Sequence, residues 1–119
     1  MSANEKKIGD MGEGAVCDYI KKMGFVILER NFRIRGGEVD IIAKDGDTLV
    51  FIEVKTRKNS KYAPSEAVDL KKQRFIIKTA EAYLYTKDLY EVDVRFDVAE
   101  VIYGTKCGIH YMENAFWRD

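Results

Sequence analysis

The chain has 119 residues, 20 basic against 20 acidic side chains, and no formal net charge. That length suits one domain over residues 1–119 with a core needing neither disulfides nor a structural metal. No apolar run reaches membrane-spanning length, and the polar start Met1-Ser2-Ala3-Asn4-Glu5-Lys6-Lys7 lacks a secretory apolar segment, so a soluble, cytoplasmic globule is expected and no membrane partner.

In chain order, Ile8, Met11, Ala15, Tyr19, Ile20 and Met23 recur at helical spacing, and Gly24 is a natural stop. Inside that helix Glu13 stands between Gly12 and Gly14. There it suits the helix dipole as well as a site, and spacing does not decide between them. Phe25 to Arg30 begins a strand, Arg35-Gly36-Gly37 marks a turn, and Gly37 to Ile42 continues as a second strand. Cys17 falls in no metal-ligand spacing with Cys107, and both are expected as isolated reduced thiols. Asp45-Gly46-Asp47 signals a tight hairpin into a third strand, Leu49 to Lys55. Thr56 to Pro64 is polar and basic, a loop beside the third strand, where Tyr62 could stack on a base or simply pack. Leu70, Gln73, Ile77, Ala80 and Leu84 line a second helix, widened by Ile76 and Tyr83. Val92 to Tyr103 and Ile109 to Met112 give the last strands. The lone His110 cannot build a zinc site. The order αβββαββ, without linker or repeat, predicts an α/β sandwich whose mixed sheet is covered on both faces.

The chemistry gathers on the second and third strands. Glu53 and Lys55 lie two residues apart, so they share a face with roots about 6–7 Å apart. They could form a simple surface ion pair. Yet Val50, Ile52 and Val54 make the opposite face apolar, and Phe51 puts an apolar side chain beside Glu53, as in a strand covered on both sides. Charges at such a place are costly to desolvate unless they bind something. With Asp40 from the neighbouring strand, the set becomes two carboxylates and a lysine, the constellation of a metal-dependent phosphodiesterase. Cations cluster around it: Arg30, Arg33 and Arg35 before Asp40; Lys55, Arg57, Lys58 and Lys61 after Glu53; Lys71, Lys72, Arg74 and Lys78 on the second helix. The acids Glu81, Asp88, Glu91, Asp93, Asp97 and Glu100 gather downstream, and are expected away from the site. Arg33, Arg35, Arg57 and Lys58 are candidate phosphate contacts, blind to base sequence. No Walker-type phosphate loop is present.

Asp40 with Glu53-Val54-Lys55 resembles the PD-(D/E)XK nuclease signature, with Gly37-Glu38-Val39-Asp40 in place of the Pro-Asp element. The likeness widens through Gly9-Asp10-Met11-Gly12-Glu13, Arg30-Asn31-Phe32-Arg33, Phe51 to Arg57, Arg95-Phe96-Asp97-Val98 and Asn114-Ala115-Phe116, which resemble the bacterial YraN-like family. That family is similar to archaeal Holliday-junction resolvases and other restriction-endonuclease-like folds. The resemblance implies an α/β/α sandwich in which Asp40, Glu53 and the Val54 carbonyl hold Mg²⁺ (or Mn²⁺), and Lys55 orients the attacking water. It also implies that Glu13 approaches the metal and that Lys72 or Gln73 overlooks the site. The expected activity is a structure-selective DNA endonuclease of repair or recombination, and a junction, which presents two cuts, would call for a homodimer. The alternative is a nucleic-acid-binding module without turnover.

Overall fold

Helix α1 (Ala3–Lys22) ends where the sequence supplies a residue able to take the left-handed conformation. Gly24 has φ +94°; its amide donates to Lys21 O at 3.0 Å, and that of Phe25 to Ile20 O at 2.9 Å. The pattern is a Schellman cap, and it turns the chain into β1 (Val26–Ile34). Two-residue connections, Arg35-Gly36 and Gly46-Asp47, then fold β2 (Gly37–Asp45) and β3 (Thr48–Lys58) into an antiparallel meander. In this computed structural model the described residues are 3–58, 68–104 and 107–118. Strand β3 runs on through Thr56–Lys58, where a loop was expected. The rest of that loop, with Lys61 and Tyr62, lies outside the described residues.

Asp69 caps α2 (Leu70–Thr86), its carboxylate accepting the Lys72 amide at 2.8 Å. The helix crosses over to β4 (Asp93–Tyr103), which pairs parallel with β3, and β5 (Gly108–Phe116) closes antiparallel on β4. The result is a five-stranded mixed sheet in the order β1-β2-β3-β4-β5, with α1 on one face and α2 on the other. This is the expected α/β/α sandwich, in the expected order αβββαββ.

The two cores follow from the alternation of β3. Leu49 and Phe51 face α2, packing with Ile76, Ala80, Tyr83 and Leu84, while Val50 and Ile52 face α1 and meet Val16, Cys17 and Ile20. On the α2 side Phe51, Phe96 and Phe116 stack in sequence at 5.7 and 5.1 Å, with the Tyr83 ring edge-on to Phe51 at 5.9 Å. Each such buried aromatic is worth roughly 1.5–3 kcal/mol of transfer free energy.

Helix α1 is rotated from the face read in the sequence, whereas α2 keeps most of its own. In α1 the buried residues are Gly12, Val16, Cys17 and Ile20, while Met11, Tyr19 and Met23 are exposed. Close approach decides this: a Cβ on Gly12 would overlap the Thr56 side chain, so small residues face the sheet and the methionines stay at the rim. In α2 the face runs through Ile76, Thr79, Ala80, Tyr83 and Leu84, and Leu70 stands exposed in the first turn. No helix among the described residues is long and apolar enough to cross a membrane.

Candidate metal and phosphate site

Strand β2 breaks its alternation at the residue that matters. Val39 belongs to the α2-side core and Ile41 to the α1-side core, although residues two apart in a regular strand share a face. Across the ladder Phe32 pairs with Val39 and Arg30 with Ile41, leaving Asn31 between them in the left-handed region at φ +55°. The twist lets the Asp40 carboxylate reach groups from both sides of the sheet. Its Oδ2 accepts the Val54 amide at 2.7 Å, and its charge acts on Glu53 and on Glu13 of α1.

Glu53 is buried at the end of the apolar stretch of β3. Burial first, and the Asp40 charge second, push its carboxyl up to about 8. Asp40 is also raised, by burial, against the pull of the Val54 amide. Two adjacent carboxyls, Glu53 buried and Asp40 half-buried, that resist joint ionisation share a proton. Partial compensation comes from Lys72, whose Nζ stands 3.8 Å from Glu53 Oε1. The first turn of α2 thus brings Lys72 to Glu53. Gln73 is turned elsewhere, its Nε2 donating to Val68 O at 2.8 Å.

Glu13 is likewise raised, by burial and then by Asp40, with Arg30 opposing at 3.6 Å. It joins the centre as an electrostatic neighbour. Among the described residues no three Asp, Glu, His or Cys side chains are gathered closely enough to hold a metal by themselves. The hard-oxygen set is therefore the Asp40–Glu53 pair, with solvent or substrate oxygens left to complete a shell.

Lys55 follows Glu53 on the same face, half-buried. Arg57, expected to grip a flanking phosphate, has its guanidinium on Glu100: NH2 donates to Oε1 at 3.4 Å and Nε stands 3.2 Å from Oε2. Glu100 corrects the reading of the downstream acids. The parallel register sets it opposite Lys55, with only 1% of its side chain exposed, inside the site face. Sequence order hid this because α2 intervenes between the two strands. Asp97 does lie apart, where it fastens β4 to β5. It accepts Arg95 Nε at 3.0 Å, Tyr111 OH at 2.5 Å and the Asn114 amide at 2.8 Å.

The remaining candidate cations lie on or beside the elements that carry the pair. Arg33 is exposed and ion-paired to Glu38 at 3.3 Å. With Lys6 and Asn31 it lines a hollow of about 390 Å³ that opens onto Asp40. Arg35 in the β1–β2 turn and Lys58 at the end of β3 are exposed. Arg30 and Asn31 were not singled out as site residues, yet the left-handed Asn31 and the broken alternation of β2 mark where the sheet turns toward α1.

Similar proteins bear the motif reading out at the level of family. The family profile described as "Uncharacterised protein family UPF0102" matches residues 12–101. A protein of that name from Dictyoglomus thermophilum is 48% identical over 117 residues, 95% of this chain and 99% of its own length. Another from Alkaliphilus metalliredigens is 45% identical over 112 residues, 93% and 98% respectively. A third, from Caldicellulosiruptor saccharolyticus, is 44% identical over 117 residues, 95% of this chain and 99% of its own. By a profile spanning most of its length, and by relatives matched almost end to end, this chain belongs to family UPF0102.

Proposed function

We propose that this protein is a Mg²⁺-dependent phosphodiesterase that cuts structured DNA, with Asp40, Glu53 and Lys55 at its centre. The observation that carries the reading is the Asp40–Glu53 pair, the first half-buried and the second buried, both carboxyls raised, with Lys72 at 3.8 Å from Glu53. Such a pair is an unfavourable way to stabilise a fold and a favourable way to receive a hard dication. The donors fit Mg²⁺ or Mn²⁺, which take one or two protein carboxylates and complete their shell with water and phosphate oxygens. Bound there, the ion would supply Lewis acidity and a water of lowered pKa.

The chain's own residues would divide the rest of the work. Asp40, Glu53 and the Val54 carbonyl hold the ion, and the Val54 amide keeps the Asp40 carboxylate aimed. Glu13, beside Asp40, orders water on the α1 side. Lys55, a compact point charge, orients the attacking water or holds the scissile phosphate. Lys72, fixed at the capped start of α2, faces the same phosphate from the other side of Glu53. Arg33, Arg35 and Lys58 hold neighbouring phosphates, which contribute affinity without base recognition. Branched DNA is favoured over a sequence-defined duplex because none of the described elements bears the marks of a base-reading helix.

The test is a panel of branched, flapped, single-stranded and duplex DNA and RNA with Mg²⁺, Mn²⁺ or EDTA. Metal-dependent cleavage of a branched DNA, lost in Asp40→Asn, is the expected result. DNA binding without cleavage under any metal would leave a binding module. Metal affinity unchanged in the Asp40→Asn, Glu53→Gln double variant would remove the site.

A further inference from the structure

Strand β5 ends on Phe116, whose ring closes the buried stack of Phe51, Phe96 and Phe116. The next residue, Trp117, is left out of that core, with 69% of its surface exposed. An indole brings more apolar surface than other side chains, so leaving it in water forfeits burial energy. Single exposed apolar residues are common and need no explanation of their own. The surroundings set this one apart. Trp117, Ala115 and Phe116 line a hollow of about 390 Å³ whose remaining wall is Gln73 of α2. Gln73 is held there by the bond from its Nε2 to Val68 O, and it follows Lys72, whose Nζ reaches Glu53. Consecutive helical residues rise by about 1.5 Å, so the hollow opens beside the turn that serves the carboxylate pair. Leu70, three residues before Gln73 and so on the same flank of the helix, is 67% exposed.

The charge around the ring is of one sign. From Leu70 to Ala80 helix α2 carries Lys71, Lys72, Arg74 and Lys78 and no acid. Lys71 and Arg74 are exposed, and so is Arg118, directly after the indole. Among the described residues the acids nearest in sequence are engaged: Asp69 accepts the Lys72 amide, and Glu113 pairs with Arg95 at 3.0 Å. An exposed aromatic ring among cations suits single-stranded nucleic acid, whose phosphates answer the cations while an unpaired base lies flat on the ring. We infer that Trp117 is a stacking platform for an unpaired base of the substrate, beside the first turn of α2. The inference rests on the reading of this protein as one that binds structured DNA, and adds the feature that is selected, a base outside the duplex. Inside a duplex both faces of a base are covered by its neighbours, whereas a flap or an opened junction offers a free face. Every base has such a face, so the contact selects structure without reading sequence.

Trp117 is the one tryptophan of the chain, so its own emission reports the contact. In EDTA, where no metal-dependent cleavage intervenes, a short single-stranded oligonucleotide should quench that emission. The same strand made abasic, which keeps every phosphate, and a hairpin-closed duplex should quench it far less. Trp117→Ala should weaken single-strand binding, read by anisotropy of a labelled strand, about 5- to 100-fold, the scale of one lost stacking contact. Its duplex affinity should stay within about twofold and its melting temperature within about 2 °C, because the ring is exposed. Trp117→Phe should recover part of the lost affinity. Equal quenching by ordinary and abasic strands would overturn the inference, as would an alanine variant with unchanged single-strand affinity. An emission shift that follows protein concentration without DNA would assign the ring to a second copy of the chain, and overturn it too. Wild type that binds no nucleic acid would sink the proposed function and this inference together. Binding and base-dependent quenching without cleavage under any metal would leave the stacking role standing and the phosphodiesterase reading lost.

Discussion

Glu53 holds its proton to about 8 in the folded chain, against 4.5 for an exposed glutamate, because burial and the Asp40 charge both oppose ionisation. The folded state therefore binds a proton that the unfolded chain has released throughout that interval, and stability must fall as pH rises across it. In EDTA the melting temperature should decline from about pH 5 to about pH 8 and then level off. Glu53→Gln should flatten the decline and raise the melting temperature at the alkaline end. A wild-type melting temperature independent of pH in EDTA would show that the proton is not there. On the proposed reading Mg²⁺ would displace that proton, so the metal-induced rise in melting temperature should grow over the same interval, and Asp40→Asn should abolish it. Lys55→Ala should lower cleavage by at least ~10²-fold while keeping the metal-induced rise, as expected on losing a positioned electrostatic group. Equal losses of stability and activity would make Lys55 a structural partner of Glu53. These three residues were legible in the sequence because two share one strand and the third lies across a single hairpin. Glu100 was not: nothing in local spacing says which residue of a strand beyond a crossover helix will stand opposite Lys55.

Helix α1 shows where periodicity stops being informative. Counting apolar bulk placed Met11 and Met23 of α1 inward, but they are exposed and Gly12 is buried, because the helix lies almost on Thr56. At Gly12 a methyl would meet the Thr56 hydroxyl, with Thr56 Cβ and Cγ2 both 3.3 Å away, so no rotation of that side chain relieves the contact. Gly12→Ala should cost about 1–3 kcal/mol as overpacking, a fall in melting temperature on the order of 5–15 °C readable by calorimetry. Because Glu13 follows directly, the same variant should weaken metal affinity more than its loss of stability alone suggests. Gly37 at the start of β2 has a similar role under α2, where a Cβ would meet Thr79 Oγ1 and stand 3.1 Å from the Phe75 carbonyl. The strands were easier to read, since each turn carries a residue suited to positive φ: Gly36 at +86° and Gly46 at +60°. What the alternation could not foretell was its own interruption at Asp40, which depends on Asn31 across the ladder.

Over the whole molecule the charges cancel, so any attraction for nucleic acid must come from their arrangement. Arg33 and Arg35 stand exposed at the β1–β2 turn, and the Arg33–Glu38 pair is too solvated to hold its arginine back from a phosphate. Replacing both arginines by alanine should weaken binding to unrelated DNA sequences alike and reduce the log–log salt slope by about 1.8 on duplex, at about 0.9 per contact. Serines at Glu91 and Asp93, which line a separate hollow with Leu28 and Lys44, should do far less. An unchanged salt slope in the arginine variant would take this face out of nucleic-acid binding.

The parallel pairing of β3 with β4 also gives the centre a history. Val54 and Asp40 are 14 residues apart, within one hairpin, whereas Arg57 and Glu100 are 43 apart, across α2. Closing the longer loop costs more chain entropy, and contacts of long sequence separation are generally made late. During refolding, amide protons of the β2–β3 ladder should gain protection before those of β4. The carboxylate pair would then exist for a time in a chain whose β3 end has not yet met Glu100.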